Sequence, residues 1–556
     1  MCIAIIAVFQ VSLFIPFLAD VVGARSAVPA DVIVSEPNDS PKQDVPAGDA
    51  NTPRINLTVR DSYLPGVPIL VRVEVLRQDG AVDRDVWDAN AVLSVSNNPT
   101  ISLSPDRLVL RNGLGSSLVT FTGEGDFGLT VRVNDMDKTV GLADWTREPV
   151  HIVSGALSTS QTWSGVYHVT GGDLTIPKDV TLTLEPGTFV LIDGAASGTN
   201  GTDIEVQGSI QSLGTPTSPV TFTAYAAGRN WGELHHDHAQ PSAYRYTEIT
   251  RAGRSPGAGH TGSGPAVRAS NSTLVFDHAS LTDNIGKIMQ AESGTELSFT
   301  STLFSRSVMG PEISGTSLLF EDGWIIDMRN KDDADGIYIH SQQAGQTCRL
   351  AGSVIAGTDD DGIDTLGSNV VVEDCIIRGC RDKAVSVFGG QTTLHRCLLV
   401  GNNLAPEDPT IATIATKSFE GSTAVVNIDH TTLVASRSPG HIDAGIQSHN
   451  KYGVKKGTII YNVTNSIVDA TQPVSVQAPY LASDIHISYS DIVGADWPGM
   501  SNWNADPQFL DPPHNNYRLK ENSPCINAAS PDSLLRDLGY YQSAPAEPNE
   551  TSPQVP

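Results

Sequence analysis

An internal repeat limits this chain to very few folds. Leu274-x-Phe276, Leu297-x-Phe299, Leu318-x-Phe320, Cys348-x-Leu350, Val370-x-Val372 and Thr392-x-Leu394 succeed one another at spacings of 23, 21, 30, 22 and 22 residues. Five residues beyond each pair stands an apolar partner: Leu281, Phe304, Ile325, Ile355, Ile377 and Leu399. Weaker copies continue at Ile428, Val463 and Ile487. A unit this short cannot bury its own apolar face, so it must stack on its neighbours. One unit per 21–23 residues suits one turn of a three-sided parallel β solenoid with its inward residues stacked into a continuous core. The longer spacings mark insertions near 327–347, 402–421 and 436–457. All three are expected before the same strand of the coil, where they would rim one face and frame a groove.

The stretch before the repeats has another rhythm. Alternating strands at 55–59, 69–75, 91–95, 107–110, 117–121 and 129–133, separated by turn residues, predict an antiparallel β-sandwich over 54–150. It resembles the immunoglobulin-like modules that precede catalytic or adhesive domains in bacterial exported proteins, without a Cys pair. It reads as a spacer or as a glycan-binding module.

The first 18 residues are an apolar run closed by Asp20, with small residues at Val22-Gly23-Ala24. This reads as a signal peptide over 1–27, cut after Ala24 or Ala27, which puts the protein outside the cell or on its surface. No Lys or Arg precedes the apolar core, and an uncleaved membrane anchor is the alternative, because the run is about as short as a spanning helix can be. Residues 28–53, rich in Pro, Asp, Ala and Ser, read as a linker, and 544–556 as a disordered tail. The net charge of −27, with only 17% charged residues in 556, excludes nucleic acid or an anionic membrane surface as the main partner. It does not exclude an acidic polysaccharide or cell-surface glycan, since a local cation can mediate that contact. The exported chain is expected to be a monomer with Cys348, Cys375, Cys380, Cys397 and Cys525, an odd number. Cys375 and Cys397 would stack, either as a disulfide or as small apolar residues.

Two phrases carry a further resemblance. Leu174-Thr-Ile-Pro-Lys-Asp-Val-Thr-Leu-Thr-Leu-Glu-Pro-Gly-Thr188, followed by Ile204-Glu-Val-Gln-Gly-Ser-Ile210, looks like the opening coils of right-handed parallel β-helix proteins. Ala505-Asp-Pro-Gln-Phe-Leu-Asp511, then Tyr517-Arg-Leu519 and Asp537-Leu-Gly-Tyr540, resembles the terminal phrase of bacterial exported β-helix proteins. The expected order is therefore a right-handed parallel β-helix over 151–505 and a capping segment over 506–543 that covers the last coil's edge.

The chemistry gathers where three repeats echo one another. Asp335, Asp361 and Lys383 hold the same place before successive strands, at spacings of 26 and 22. Stacked coils would set them about 4.8 Å apart. Two carboxylates that close need a cation or a proton between them. With Asp332, Asp333, Asp359, Asp360 and Asp364 on the same edge, the surplus of negative charge invites a hard ion such as Ca²⁺, held by Asp335, Asp360 and Asp361. Alternation turns Ile337 and Ile339 inward and Tyr338 and His340 outward, with Asp364 and then Ser386 above Tyr338 and Arg381 and Asp382 at the rim. Tyr338, His340 and Arg381 are the candidate sugar contacts. Lys383, with Asp361 and Asp364, is the candidate catalytic group: a base taking the proton beside a uronate carboxylate, for β-elimination or epimerisation. Two acidic residues could instead divide acid and base roles in hydrolysis.

Over about 157–540 the chain is similar to the pectin-lyase-like superfamily of polysaccharide lyases, epimerases and polygalacturonases. The resemblance implies a Lys base beside acidic metal ligands, matched by Lys383, while the usual partner Arg has no clear equivalent. Asp360-Asp361 matches the acidic pair of the polygalacturonases, but their Gly-His-Gly and Arg-Ile-Lys motifs are absent, so hydrolysis is the weaker enzymatic option. Against all of these stands a non-catalytic adhesive or structural scaffold. In that case the Asp-Gly pairs are turn chemistry, a charge ladder or a structural Ca²⁺ site. An enzyme should leave Asp361 and Lys383 on an open groove; a scaffold should bury or pair them. His235-His236-x-His238 reads as strand residues facing opposite ways, and Tyr244 and Tyr246 as solvent-side packing.

Overall fold

A computed structural model describes residues 54–404, 412–436, 444–450 and 457–542. The signal, linker and tail assignments lie outside these residues, as do parts of the insertions at 402–421 and 436–457. Among the described residues no helix is long and apolar enough to cross a membrane.

Nine strands, from Arg54–Thr58 to Met136–Asp144, form the small β-sandwich. All pairs are antiparallel except Ser62–Tyr63 with Met136–Asp144. The strand Ile69–Leu76 is buried on both faces. Val71, Val73 and Val75 enter the sandwich core, whereas Arg72 turns away and donates to Ala279 O and Ser301 O in the following domain. A buried arginine between two domains shows that they are built to stay docked, since leaving its N–H groups dry and unbonded would be costly.

From Val150–Ala156 onward the chain is a right-handed parallel β-helix. Each coil contributes one strand to each of three parallel ladders, as in Ile337–His340, Cys348–Ala351 and Val354–Ala356, before the next coil opens at Ile363–Leu366. We call these the first, second and third sheets. The first and third begin on Val150–Ala156, which pairs with both ends of the long strand Val166–Ile176; the early part of that strand pairs in turn with Phe189–Ile192 and its late part with Ile204–Val206. The second contains thirteen strands.

The register is the one the repeat spacing predicts. Phe276, Phe299, Phe320, Leu350, Val372, Leu394 and Ile428 are successive Cα partners in the second sheet. Leu281, Phe304, Ile325, Ile355, Ile377 and Leu399 are partners in the third. All of them lie in one continuous core. The five cysteines are buried free thiols, so Cys375 and Cys397 serve as small apolar residues. Tyr244 departs from its solvent-side reading: it points inward, stacks on Phe276 at 4.7 Å and donates or accepts a hydrogen bond with buried His236 at 2.7 Å. The register makes this so: Ser242 and Tyr244 are the Cα partners of the inward Leu274 and Phe276.

Two of the three outer faces are treated differently. The outward residues of the third sheet are apolar, among them Leu303, Trp324, Ile326, Val354 and Leu398. They are covered by Trp87 and Leu114 of the sandwich and by Phe509, Tyr517 and Leu538 of the C-terminal segment. The first sheet instead presents a polar row in register: Glu205, His235, Arg268, Gln290, Glu312, Tyr338, Asp364 and Ser386. Its strands Ile337–His340, Ala412–Lys417 and Ala444–Ser448 each lie inside one of the long spacings, so the described insertion residues next to them adjoin this sheet.

Candidate functional site

The site begins with the repeated Asp-Gly step. A Cβ on Gly336 would stand 2.4 Å from Gly362 O, so glycine is required for coils to approach this closely. The aspartate before it bonds up the stack. Asp335 Oδ1 accepts the amide of Asp361 at 3.2 Å, and Asp361 Oδ1 accepts the amide of Lys383 at 2.9 Å. Both aspartates thus satisfy backbone donors that would otherwise be lost at the turn into the first sheet.

Lys383 does not stand free on a groove. Its side chain is 4% exposed; Nζ lies 3.1 Å from Asp361 Oδ1 and also contacts Asp382 Oδ2. Lys383 is thus held between two buried carboxylates, the pairing expected of a charge ladder rather than of a group on an open groove. Asp361, nearly as buried, is likewise committed to the ladder. Arg381 is also placed elsewhere: it lines a cleft with Arg329, Arg378 and Asp359 at the turn beyond the third sheet, apart from Tyr338 and His340.

The remaining candidates do come together. Asp335, Asp360 and Asp361 offer oxygens within 4.8 Å of one another. Burial first, then the charges of Asp364 and Asp361, push the Asp335 carboxyl well above its usual range. Asp360 is pushed up to about 8 by burial and then by Asp361 and Asp382. Asp364, paired in register with Tyr338, is raised to about 6 by burial and then by Asp361. Asp360 Oδ2 also accepts the amide of Asp333 at 2.9 Å.

Sequence reasoning missed His260. A glycine-rich loop, 253–264, leaves the coil before Pro265–Ser270 and lies along the first sheet until His260 reaches the coil of Ile337–His340, three turns on. Its ring stacks on Tyr338 with centroids 3.9 Å apart and planes 2° from parallel, and Nδ1 lies 3.3 Å from Asp335 Oδ2. Tyr338 stacks in turn on His340 at 4.7 Å. Gly259 has φ +67°, and a Cβ there would meet Glu312 Oε1 at 2.1 Å, so only glycine lets the loop pass. Glu312 is anchored by buried Lys287, which also donates to Ala258 O of the loop. Burial raises the Glu312 pKa, but hydrogen bonds from His340 and Lys287 outweigh it and leave the carboxyl below its ordinary value. The density of glycine at 253, 257, 259, 262 and 264 was the only sequence signal for this loop.

Further along the face, Phe388 stacks on half-exposed Phe419 at 3.9 Å, with Lys417 Nζ 5.5 Å from the Phe388 ring centre. The His235-His236-x-His238 group makes no site. His236 is buried with a pKa lowered to about 3 by burial and then by the charge of His235, while His235 pairs with Glu205 at 2.9 Å.

These features define a class: a parallel β-helix with one sheet covered by an accessory β-sandwich and another carrying a carboxylate and imidazole cluster on its outer face. Neither a protein-family model nor a curated protein matches the chain. Among solved structures it is similar to a pectate lyase, at 14% identity over 66% of this chain and 89% of that one, TM-score 0.33. It is similar also to the A-module of the Azotobacter vinelandii mannuronan C-5 epimerase, at 12% identity, 65% and 91% coverage and TM-score 0.34. A third is the catalytic domain of an α-1,3-glucanase, at 10% identity, 78% and 92% coverage and TM-score 0.31. Likeness at this level is one of architecture and transfers no residue role.

Proposed function

We propose that the outer face of the first sheet binds an acidic polysaccharide and that the cluster around Asp335 takes the proton beside a uronate carboxylate, giving β-elimination or epimerisation. The observation that carries this reading is His260: a loop is led across three coils to set a half-exposed imidazole on a buried carboxylate, which a purely structural ladder does not require. With Nδ1 turned to Asp335, Nε2 is the atom that can accept a proton, and a cation on the cluster would keep Asp335 ionised so that its carboxylate steadies the imidazolium that results. Tyr338, stacked between His260 and His340, positions the ring. Asp335, Asp360 and Asp361 form an all-oxygen donor set in which burial and then repulsion between aspartates raise two members, which fits Ca²⁺. A Ca²⁺ held there would neutralise a uronate carboxylate and acidify the adjacent C–H. Phe388 and Phe419 supply a flat apolar platform for sugar rings, with Lys417 beside it for their carboxylates. The apolar run within 1–27 supports action outside the cell or at its surface.

The test is a panel of alginate, pectate and glycosaminoglycans, with Ca²⁺ or chelator. Unsaturated uronate absorbance reports elimination and solvent deuterium uptake at C5 reports epimerisation. His260→Ala is expected to lose about 10²–10⁴-fold in rate, the usual contribution of a positioned base. Full activity in that variant would remove His260 from the mechanism. Neither product nor exchange on any substrate would leave the second reading, a non-catalytic surface scaffold, which the buried pairing of Lys383 with Asp361 and Asp382 favours.

A further inference from the structure

A second cluster lies away from this face, at the turn between the second and third sheets. His395 and Asp429 follow the inward residues Leu394 and Ile428 and are Cα partners on adjacent coils; His430 comes next, in the left-handed region at φ +45°. Nδ1 of His395 and Nδ1 of His430 each lie 3.0 Å from the same oxygen, Asp429 Oδ2. The ligand atoms of the three residues lie within 4.8 Å of one another.

The two imidazoles are not equivalent. His395 Nδ1 hydrogen-bonds Asp429 Oδ2. His430 is 1% exposed, and its buried Nδ1 makes no hydrogen bond: the carboxylate oxygen is close but off the line an N–H would need. Its other nitrogen is engaged, with Nε2 3.1 Å from Ser533 Oγ in the C-terminal segment. When Nε2 carries the proton and donates to Ser533 Oγ, Nδ1 is left as a buried bare lone pair 3.0 Å from an anionic oxygen. That contact is unfavourable unless a cation lies between them.

The carboxylate is held for the same purpose. Asp429 Oδ1 accepts Thr464 Oγ1 and Asn465 Nδ2, both at 2.8 Å, which leaves Oδ2 for the two histidines. Outer partners of this kind orient the ligands of metal sites. Donors about 2.1 Å from one ion and 3.0 Å apart subtend roughly 90° at it, the angle between adjacent ligands of a facial two-histidine, one-carboxylate site. His395 and Asp429 are each about one-third exposed, so the remaining positions open to solvent.

The geometry points to a mononuclear site for a divalent first-row transition ion such as Zn²⁺, held by His395 Nδ1, Asp429 Oδ2 and His430 Nδ1 and distinct from the oxygen-only cluster at Asp335. Imidazole donors select such ions over Ca²⁺. Through Ser533 the site also ties the C-terminal segment to two coils.

The full-length protein, stripped with chelator, is dialysed against Zn²⁺ in the presence of excess Ca²⁺ that saturates carboxylate-only sites, and retained metal is counted. Co²⁺ absorption in place of Zn²⁺ reports the donor set. One equivalent is expected, retained in Asp360→Asn and lost in His395→Ala, whose half-exposed side chain can be removed without opening the core. Thr464→Val, which touches only the carboxylate, should weaken retention by about 10–100-fold. No retained Zn²⁺ in the wild type, or equal retention in His395→Ala, overturns the site and leaves a hydrogen-bonded His-Asp-His cluster.

Discussion

Replacing Lys383 with methionine separates the two roles this residue could have. In the structure its ammonium is the shared counter-ion of Asp361 and Asp382, with the Lys383 and Asp361 side chains only 4% and 9% exposed, so solvent screening is slight. Methionine keeps the volume of the stem and removes the ammonium from both carboxylates. Breaking a buried pair in this way costs about 3–5 kcal/mol. Asp361→Asn should cost less, about 1–3 kcal/mol, because its remaining oxygen can still accept the Lys383 amide and Lys383 keeps Asp382. The double variant is expected to fall short of the summed costs by about 1–3 kcal/mol. A long solenoid need not unfold in two states, so the quantity to measure is local opening, by native-state hydrogen exchange of the amides in Ile363–Leu366 and Val385–Phe388. At 1.4 kcal/mol per decade, 3–5 kcal/mol makes exchange faster by roughly a hundred-fold to a few thousand-fold, up to the limit set by global unfolding. Exchange less than about tenfold faster, together with lost activity on a uronate polymer, would refute the reasoning and restore Lys383 as a base.

Asp360 and Asp364 have folded-state pKa values raised to about 8 and about 6. The folded protein therefore binds more protons than the unfolded chain between about pH 4 and pH 8, and stability must fall as pH rises through that window. In chelator the melting temperature should drop from pH 5 to pH 8, less steeply in Asp360→Asn, and Ca²⁺ should restore it at the upper end; a flat profile in chelator would contradict the charge crowding. Phe419→Ala should weaken polysaccharide binding about tenfold, roughly 1–2 kcal/mol for a lost aromatic contact, and leave the unfolding profile unchanged in calorimetry. Arg60 donates to Gly187 O and Pro219 O and lies over Phe189 at 4.2 Å, fastening the sandwich to the first coils. Arg60→Met should cost about 2–4 kcal/mol in stranded acceptors and open the 145–160 region to protease; unchanged cleavage there would show that the apolar interface alone holds the domains.

Some of this was legible in the order of residues. In a parallel coil each strand bonds to the one a single repeat away, so the spacing of Leu-x-Phe phrases settles which residues stack, and Phe276 over Phe299 over Phe320 follows from counting. The same counting sets Tyr338 against Asp364 and Asp364 against Ser386. By the same rule His395 stands beside Asp429, one step past Leu394 and Ile428, but the insertion between those repeats hid that pair. Tertiary structure alone decided the rest. His260 meets Asp335 across 75 residues, because a loop can run along the coil axis where no periodicity constrains it. Lys383 is a buried counter-ion because Asp382 folds over it at the turn, and one-dimensional spacing carries no information on burial. Which sheet is open was settled by the sandwich and the C-terminal segment docking on the third. Period is a property of backbone hydrogen bonding between neighbours and is written locally; exposure and charge pairing depend on what distant segments cover, and only the folded chain brings those together.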